Sequence, residues 1–413
     1  HQIEKMAKKS ALTEVDVAKK AIGLTEEAFK NPDSDERSRH VGFYLIDKGR
    51  TELEKAIQMK KTRLEKWMGS SICSPVFAYL GSFAALTLIL SAWMLYGSDI
   101  DRLPLWLWAV TGISTLVASS QLSLALVNWL TTFPTVSIPL PKMDFSKGIP
   151  EGYETLVVIP TMLISEKQIE KLCDNLEVHY LANRDKRLKF CLLTDFVDAD
   201  RETMPHDAAL IHRLTSLIDE LNGKHADDDE GPFLALNRPR KWNLSEKKWI
   251  GYERKRGKLE ALNALLTGHD TNAFTVKTGS IGNLDKTRYV ITLDSDTNLL
   301  RDSARQFVGA MAHPLNRARY NAAKDRVVEG YGILQPRITT SLPAANASWY
   351  ERLCSGDAGI DPYTKTVSDV YQDVFGEGSF IGKGIYDVGI VYKTLNERLP
   401  ENSILSHDLI EGC

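Results

Sequence analysis

Between Trp67 and Ser98, and again between Leu103 and Pro141, the chain carries no charged residue. An α-helix needs roughly 20 apolar residues to cross a hydrocarbon layer. The first run contains CSPVFAYLGSFAALTLILSAWMLY and the second LPLWLWAVTGISTLVASSQLSLALVNWLTTF. Within lipid every backbone N–H and C=O must be bonded inside the segment, so runs of this kind are restricted to helices. Residues 67–141 therefore read as a transmembrane helical hairpin, the alternative being a buried hairpin of a soluble protein. Trp93, Trp106, Trp108 and Trp129 lie toward the ends of the runs, where indoles settle at headgroup level. Lys60, Lys61, Arg63 and Lys66 precede the pair, Lys142 and Lys147 follow it, and the intervening SDIDR is mostly acidic. The positive-inside rule then puts both flanks, and everything after residue 142, in the cytoplasm.

The flanks differ in texture. Residues 1–66 are charged and helix-prone, with Ile3, Met6, Leu12, Val15 and Val17 loosely at helical spacing, and read as a helical pair. Beyond a proline-rich exit, YETLVVIPTML, SEKQIEKLCDNLEVHYLAN and LKFCLLTDF read as strand, helix and strand. RYVITLDSDT and VVEGYGILQPRIT are further strands, so residues 150–413 are expected to form an α/β domain with a mainly parallel sheet covered by helices. The acidic stretch from Ala226 to Trp249 reads as an exposed insertion. A hydrophobic fraction of 43% with a net charge of -3 allows a packed core and offers no sustained basic surface, so nucleic acid is not an expected partner. The scattered cysteines, Cys73, Cys173, Cys191, Cys354 and Cys413, form no C-x-x-C pair, which argues against a zinc ribbon or a disulfide framework. The sequence begins at His1 and stops shortly after a motif read below as catalytic, so it reads as a piece of a longer protein.

In open α/β sheets ligands bind outside the carboxyl ends of the strands, so polar residues placed directly after apolar strands carry weight. Pro160 and Thr161 end the first strand, Asp195 the second, and Asp294 with Asp296 a later one. A D-x-D pattern means little alone, since Asp99 with Asp101, Asp198 with Asp200 and Asp227 with Asp229 share it. Only Asp294 and Asp296 follow an uninterrupted apolar strand, where two carboxylates can reach a Mg2+ or Mn2+ ion that carries substrate phosphates. An acidic turn is the bland alternative. Arg254, Lys255, Arg256 and Lys258 cluster around Gly257 at the start of an apolar helix, which suits a phosphate or a merely solvated helix start. The segment DVFGEGSFIGKGIYDV lets a ligand approach its backbone closely, and Gly376, Glu377, Gly378 and Ser379 are candidates for an acceptor-side loop. It does not fit the phosphate-cradling or dinucleotide fingerprints. Asp408, beside His407, has the setting of a general base or of a helix cap.

Taken in order, VVIPT, LLTDF, RGKLEALN, LDSDT, FGEGSFIGKG and SHDLIEG resemble the inverting, processive glycosyltransferases of the cellulose and hyaluronan synthase type. The wording of DPYTKTVSDVYQDVFGEGSFIGKGIYDV and ILSHDLIEG is more similar still to the glycosyltransferase region of cyclic β-1,2-glucan synthases, over residues 70–413. The resemblance implies a nucleotide-diphospho-sugar transferase (GT-A type) fold, UDP-glucose as donor and a growing glucan as acceptor. Pro160, Thr161, Asp195, Lys258 and Asp294 would then bind the nucleotide, Asp294 and Asp296 the metal, and Asp408 would be the catalytic base. Where the synthases carry T-E-D this chain reads S-H-D, with His407 in place of the glutamate, and their Q-x-x-R-W motif does not appear in it. The resemblance further implies a bacterial inner membrane with the catalytic domain cytoplasmic. Growth of the glucan on the protein, with Tyr363 or Tyr371 as the attachment site, and cyclisation by a downstream phosphorylase-like domain of the same polypeptide belong to the same expectation. A rival from another class is a membrane scaffold that binds nucleotide-sugar or glucan without turnover.

Overall fold

A computed structural model describes residues 1–32, 34–59, 75–96, 104–131, 140–225, 231–270, 272–336, 348–349, 380, 382–396 and 398. The chain divides into two compact units, His1–Pro139 with Arg337–Gly378, and Leu140–Pro336 with Ser379–Cys413.

In the first unit, α1 (Gln2–Ala7), α2 (Glu14–Lys30), α3 (Val41–Ile46) and α4 (Arg50–Ala56) surround a small core of Met6, Val17, Ala21, Tyr44, Leu53 and Ile57. Helix α2 starts on a reciprocal cap: Asp16 N–H donates to Thr13 Oγ1 and Thr13 N–H to Asp16 Oδ2, each at 3.3 Å. The helical pair expected from sequence is a set of four among the described residues. Helices of six or seven residues carry too few periodic positions to announce themselves. Helices α5 (Pro75–Tyr96) and α6 (Leu105–Thr131) follow, and Val76–Tyr96 and Leu105–Thr131 are both long and apolar enough to cross a membrane. Phe77, Leu88, Trp93 and Trp106 point outward, whereas Thr87, Ser91, Ser119, Ser123 and Asn128 are buried. Tyr79 Oη donates to Asn128 Oδ1 across the pair at 2.5 Å. Apolar side chains outside and small or polar ones between the helices is the arrangement lipid favours, because polar groups find partners only within the protein.

The second unit is built on a seven-stranded sheet. Its central strands are β1 (Thr155–Leu163), β2 (Leu188–Phe196) and β3 (Phe233–Arg238), joined by β7 (Tyr289–Thr292) on the other side of β1, all parallel. Antiparallel strands close both edges: β6 (Val276–Gly279) beside β3, and β11 (Gly384–Asp387) with β10 (Ile333–Leu334) beyond β7. Alternation along the strands produces two apolar faces. Val157, Ile159, Phe190, Leu192, Phe233 and Ala235 pack with Leu172 and Leu176 of α7 (Glu166–Ala182), Leu214 and Ile218 of α8 (Asp207–His225), and Val308 and Met311 of α10 (Ser303–Ala312). Leu156, Val158, Cys191, Leu193, Leu234 and Leu236 pack with Leu259, Leu262 and Leu266 of α9 (Arg254–Leu266), and with Val388 at the start of α11 (Val388–Leu395). Strands buried on both faces read as continuous apolar runs, which is why β1, β2 and β7 were legible.

The second unit departs from the sequence expectation in two places. The stretch Ala226–Trp249 is not simply an exposed insertion, since Phe233–Arg238 within it is a fully buried parallel strand paired with β2. Its acidic approach and polar ending, Asn237 and Arg238, masked a core element. Trp242 and Trp249 lie beyond it on the small hairpin of β4 (Lys241–Asn243) and β5 (Lys248–Ile250). The run VVEGYGILQPRIT is broken at Gly330, where φ is +72° and a Cβ would meet Arg317 O. Only β10 joins the main sheet, and β9 (Arg326–Glu329) pairs instead with β8 (Arg319–Asn321).

The segment entering the second unit is clasped by α10. Met143 N–H donates to Gly309 O at 2.9 Å, and a Cβ on Gly309 would lie 2.6 Å from Met143 O. Gly309→Ala is therefore expected to lower stability by about 1–3 kcal/mol through overpacking. A thermal unfolding midpoint equal to wild type would show that the entry segment is not held there.

Candidate active site

The carboxyl ends of the parallel strands converge on two charged clusters joined by α9. Asp195 and Arg238 are register partners on β2 and β3, so their side chains emerge side by side. Arg238 Nε donates to Asp195 Oδ1 and Nη2 to Oδ2, both at 2.9 Å. This two-toothed geometry is the strongest form of the arginine–carboxylate bond. Lys258 comes in from α9 with its Nζ 3.4 Å from Asp195 Oδ2 and donates to Thr161 O at 2.6 Å. Asp195, Arg238 and Lys258 are all buried, at 2%, 7% and 4% exposure. Burial lowers the Lys258 ammonium below its ordinary pKa, with Asp195 pulling the other way.

The turn leading into α9 is moulded around this cluster. A Cβ at Gly251 would sit 2.4 Å from Asp195 Oδ2, and one at Gly257 2.3 Å from Tyr252 O. Glu253 and Arg254 take left-handed backbone, φ +54° and +51°, unusual outside glycine. Arg238 Nη2 donates to Tyr252 O and Arg254 O at 3.0 and 3.3 Å, which holds the turn in that form.

The second cluster surrounds Asp294, two residues beyond β7 and about one-third exposed. Lys255 donates to Asp294 Oδ1 at 2.8 Å and to Gly382 O at 2.9 Å, and Lys383 Nζ lies 3.0 Å from Asp294 Oδ2. Burial raises the Asp294 carboxyl, but the two ammoniums outweigh it and the net shift is downward. Asp296 is exposed, with Thr297 Oγ1 donating to Oδ1 at 3.4 Å. Lys255 and Lys258, three positions apart and hence on one face of α9, link the clusters.

Of the basic residues around Gly257, Arg254 is bonded to Asp198 and Glu246, and Arg256 to Glu253 and Glu260. Lys255 and Lys258 are the ones that face the strand ends. Sequence reading did not single out Arg238, hidden in the presumed insertion, or Lys383, one lysine in a glycine-rich run. Pro160 and Thr161 do not end β1, which runs on to Leu163, and are partly exposed within its last four residues. Asp408, His407, Gly376, Glu377, Gly378, Ser379, Tyr363 and Tyr371 lie outside the described residues.

Among the described residues no group of three or more His, Cys, Asp or Glu side chains could hold a metal ion. Mg2+ is commonly bound through one or two carboxylates together with substrate phosphates, and Asp294 with Asp296 would supply such carboxylates. A depression of about 450 Å³ lined by Asp285, Thr287, Arg288 and Asp387 lies at the amino end of β7, away from both clusters.

Over 99% of its length the chain is similar to cyclic β-(1,2)-glucan synthase NdvB of Rhizobium meliloti (strain 1021), with 38% identity over 415 residues. It spans about 14% of the length of that curated relative. No family model matches the chain. The resemblance carried by the motifs therefore extends through the helical amino-terminal region and both apolar helices.

Arg238→Ala leaves Asp195 buried beside a single lysine and is expected to cost about 3–5 kcal/mol, the usual penalty for breaking a buried ion pair. Thermal unfolding of the single and double variants checks this. Strict additivity of Arg238→Ala and Asp195→Ala would mean that the two side chains do not act as a pair.

Proposed function

We propose that the chain, a member of the cyclic β-1,2-glucan synthase family, is the membrane-anchored catalytic region of an inverting glycosyltransferase with a GT-A type domain, transferring glucose from UDP-glucose to a growing β-1,2-glucan. One observation carries this reading: Thr161, Asp195, Arg238, Lys258, Lys255 and Asp294 meet where adjacent parallel strands end. A partly open rim with more cationic than acidic groups suits a diphosphate at the position where α/β sheets bind ligands.

In this reading Pro160 and Thr161 border the nucleotide, and Asp195 with Lys258 fixes that border. Asp408 takes the proton of the acceptor 2-hydroxyl as its oxygen attacks the anomeric carbon. The bond from that carbon to the phosphate oxygen breaks, its electron pair leaves with UDP, and the configuration inverts in one displacement. A Mg2+ or Mn2+ ion held by Asp294 and Asp296 would offset the charge growing on the departing diphosphate. His407 and the loop containing Gly376, Glu377, Gly378 and Ser379 would lie on the acceptor side. Tyr363 or Tyr371 would carry the first sugar, and a downstream phosphorylase-like domain would cyclise the product. The two apolar helices would hold this machinery on the cytoplasmic face of the inner membrane.

The test is UDP release and glucan formation from labelled UDP-glucose by membranes carrying the full polypeptide, with Mg2+, Mn2+ or chelator. Metal-dependent incorporation that falls about 10²–10⁴-fold in Asp408→Asn is expected for loss of a general base. Turnover unchanged by that substitution would remove Asp408 from the mechanism, and UDP binding without turnover would favour a scaffold. Peptide mass spectrometry of the active protein is expected to find a hexose chain on Tyr363 or Tyr371, and finding both unmodified would refute attachment there.

A further inference from the structure

The acid that would bind the metal is held by two cations. Lys255 and Lys383 each engage a different oxygen of Asp294, at 2.8 and 3.0 Å. A dication approaching those oxygens alone would meet two positive charges against one negative. A diphosphate approaching the same rim would meet the opposite, two ammoniums within reach and several strong acceptor oxygens to offer them.

Both lysines are set by the backbone. Gly382 has φ +77° and a Cβ on Gly384 would lie 2.4 Å from Leu334 O, so the residue between them is carried on a closely constrained turn. Lys255 is tied to the same turn through Gly382 O, which also accepts from Thr292 Oγ1 at 3.2 Å. The side chains remain about a quarter exposed, 27% for Lys255 and 23% for Lys383, and so are able to turn toward a ligand at the rim.

We propose that Lys255 and Lys383 are exchangeable counter-ions: the donor diphosphate draws them off Asp294, and the released carboxylate then joins Asp296 in binding the divalent cation. The proposal rests on the nucleotide-sugar reading above. It makes diphosphate and cation bind cooperatively, because each removes charge that opposes the other.

The full polypeptide in lipid nanodiscs tests this without turnover, using Mn2+ binding by electron paramagnetic resonance and UDP binding by calorimetry. Asp296→Asn supplies the background from unrelated acidic sites. In the wild type, UDP is expected to tighten Mn2+ binding by about tenfold or more. In Lys383→Gln and Lys255→Gln, Mn2+ alone should bind several-fold more tightly, UDP alone more weakly, and the coupling should shrink. Lys383→Arg should keep most of the coupling, and unchanged melting temperatures would exclude misfolding as the cause. Mn2+ affinity without nucleotide that is unchanged or weaker in both glutamine variants would overturn the exchange while leaving UDP binding intact. Failure of the wild type to bind UDP would instead remove the nucleotide-sugar reading and the exchange together.

Discussion

The carboxylate of Asp195, buried between Arg238 and Lys258, ties three neighbouring elements into one rigid edge. A buried charge is tolerated only when it is paired and hydrogen-bonded, and here one anion satisfies two cations from different parts of the chain. The guanidinium in turn holds the carbonyls of Tyr252 and Arg254, and the ammonium holds that of Thr161. The left-handed turn at Glu253 and Arg254 persists because these bonds over-determine it. Helix α9 therefore starts where it does, and its next lysine toward the amino end, Lys255, arrives at Asp294.

Depth separates the two clusters in character. Around Asp195 water is excluded, so the pair is expensive to break and acts as framework. Around Asp294 the charged side chains keep about a quarter to a third of their surface open to water, and ion pairs in such settings contribute less to stability. A site of this kind can rearrange around a ligand while its foundation stays put, the usual division between a preorganised base and an adaptable rim. That Lys255 and Lys258 belong to one helix face is what lets the foundation position the rim.

The two apolar helices have the length and composition of segments that cross a membrane. Exposed Phe77, Leu88, Trp93 and Trp106 would be costly in water, and buried Ser119, Ser123 and Asn128 would be unremarkable in a water-soluble core only with full partnering. In a bilayer the outward apolar side chains are favourable, and polar groups are tolerated only between the helices, where Tyr79 bonds Asn128.

What the residues determined unaided were the features that depend on local pattern: the two charge-free helices, the buried strands β1, β2 and β7, and the presence of acids and a threonine near their carboxyl ends. Continuous apolar runs have few alternatives to a strand covered on both faces or a helix in lipid, and residues at their ends follow from chain order alone. The helical set near the amino terminus, the strand Phe233–Arg238 and the antiparallel return of Gly384–Asp387 were decided by tertiary packing, because short or polar-flanked segments gain their stability from neighbours rather than from their own periodicity. The same holds for the pairing of Asp195 with Arg238 and of Asp294 with Lys255 and Lys383. Electrostatic partners far apart in sequence are chosen by strand register and helix placement, and a single chain of letters contains no record of which charges will be brought within 3 Å of one another.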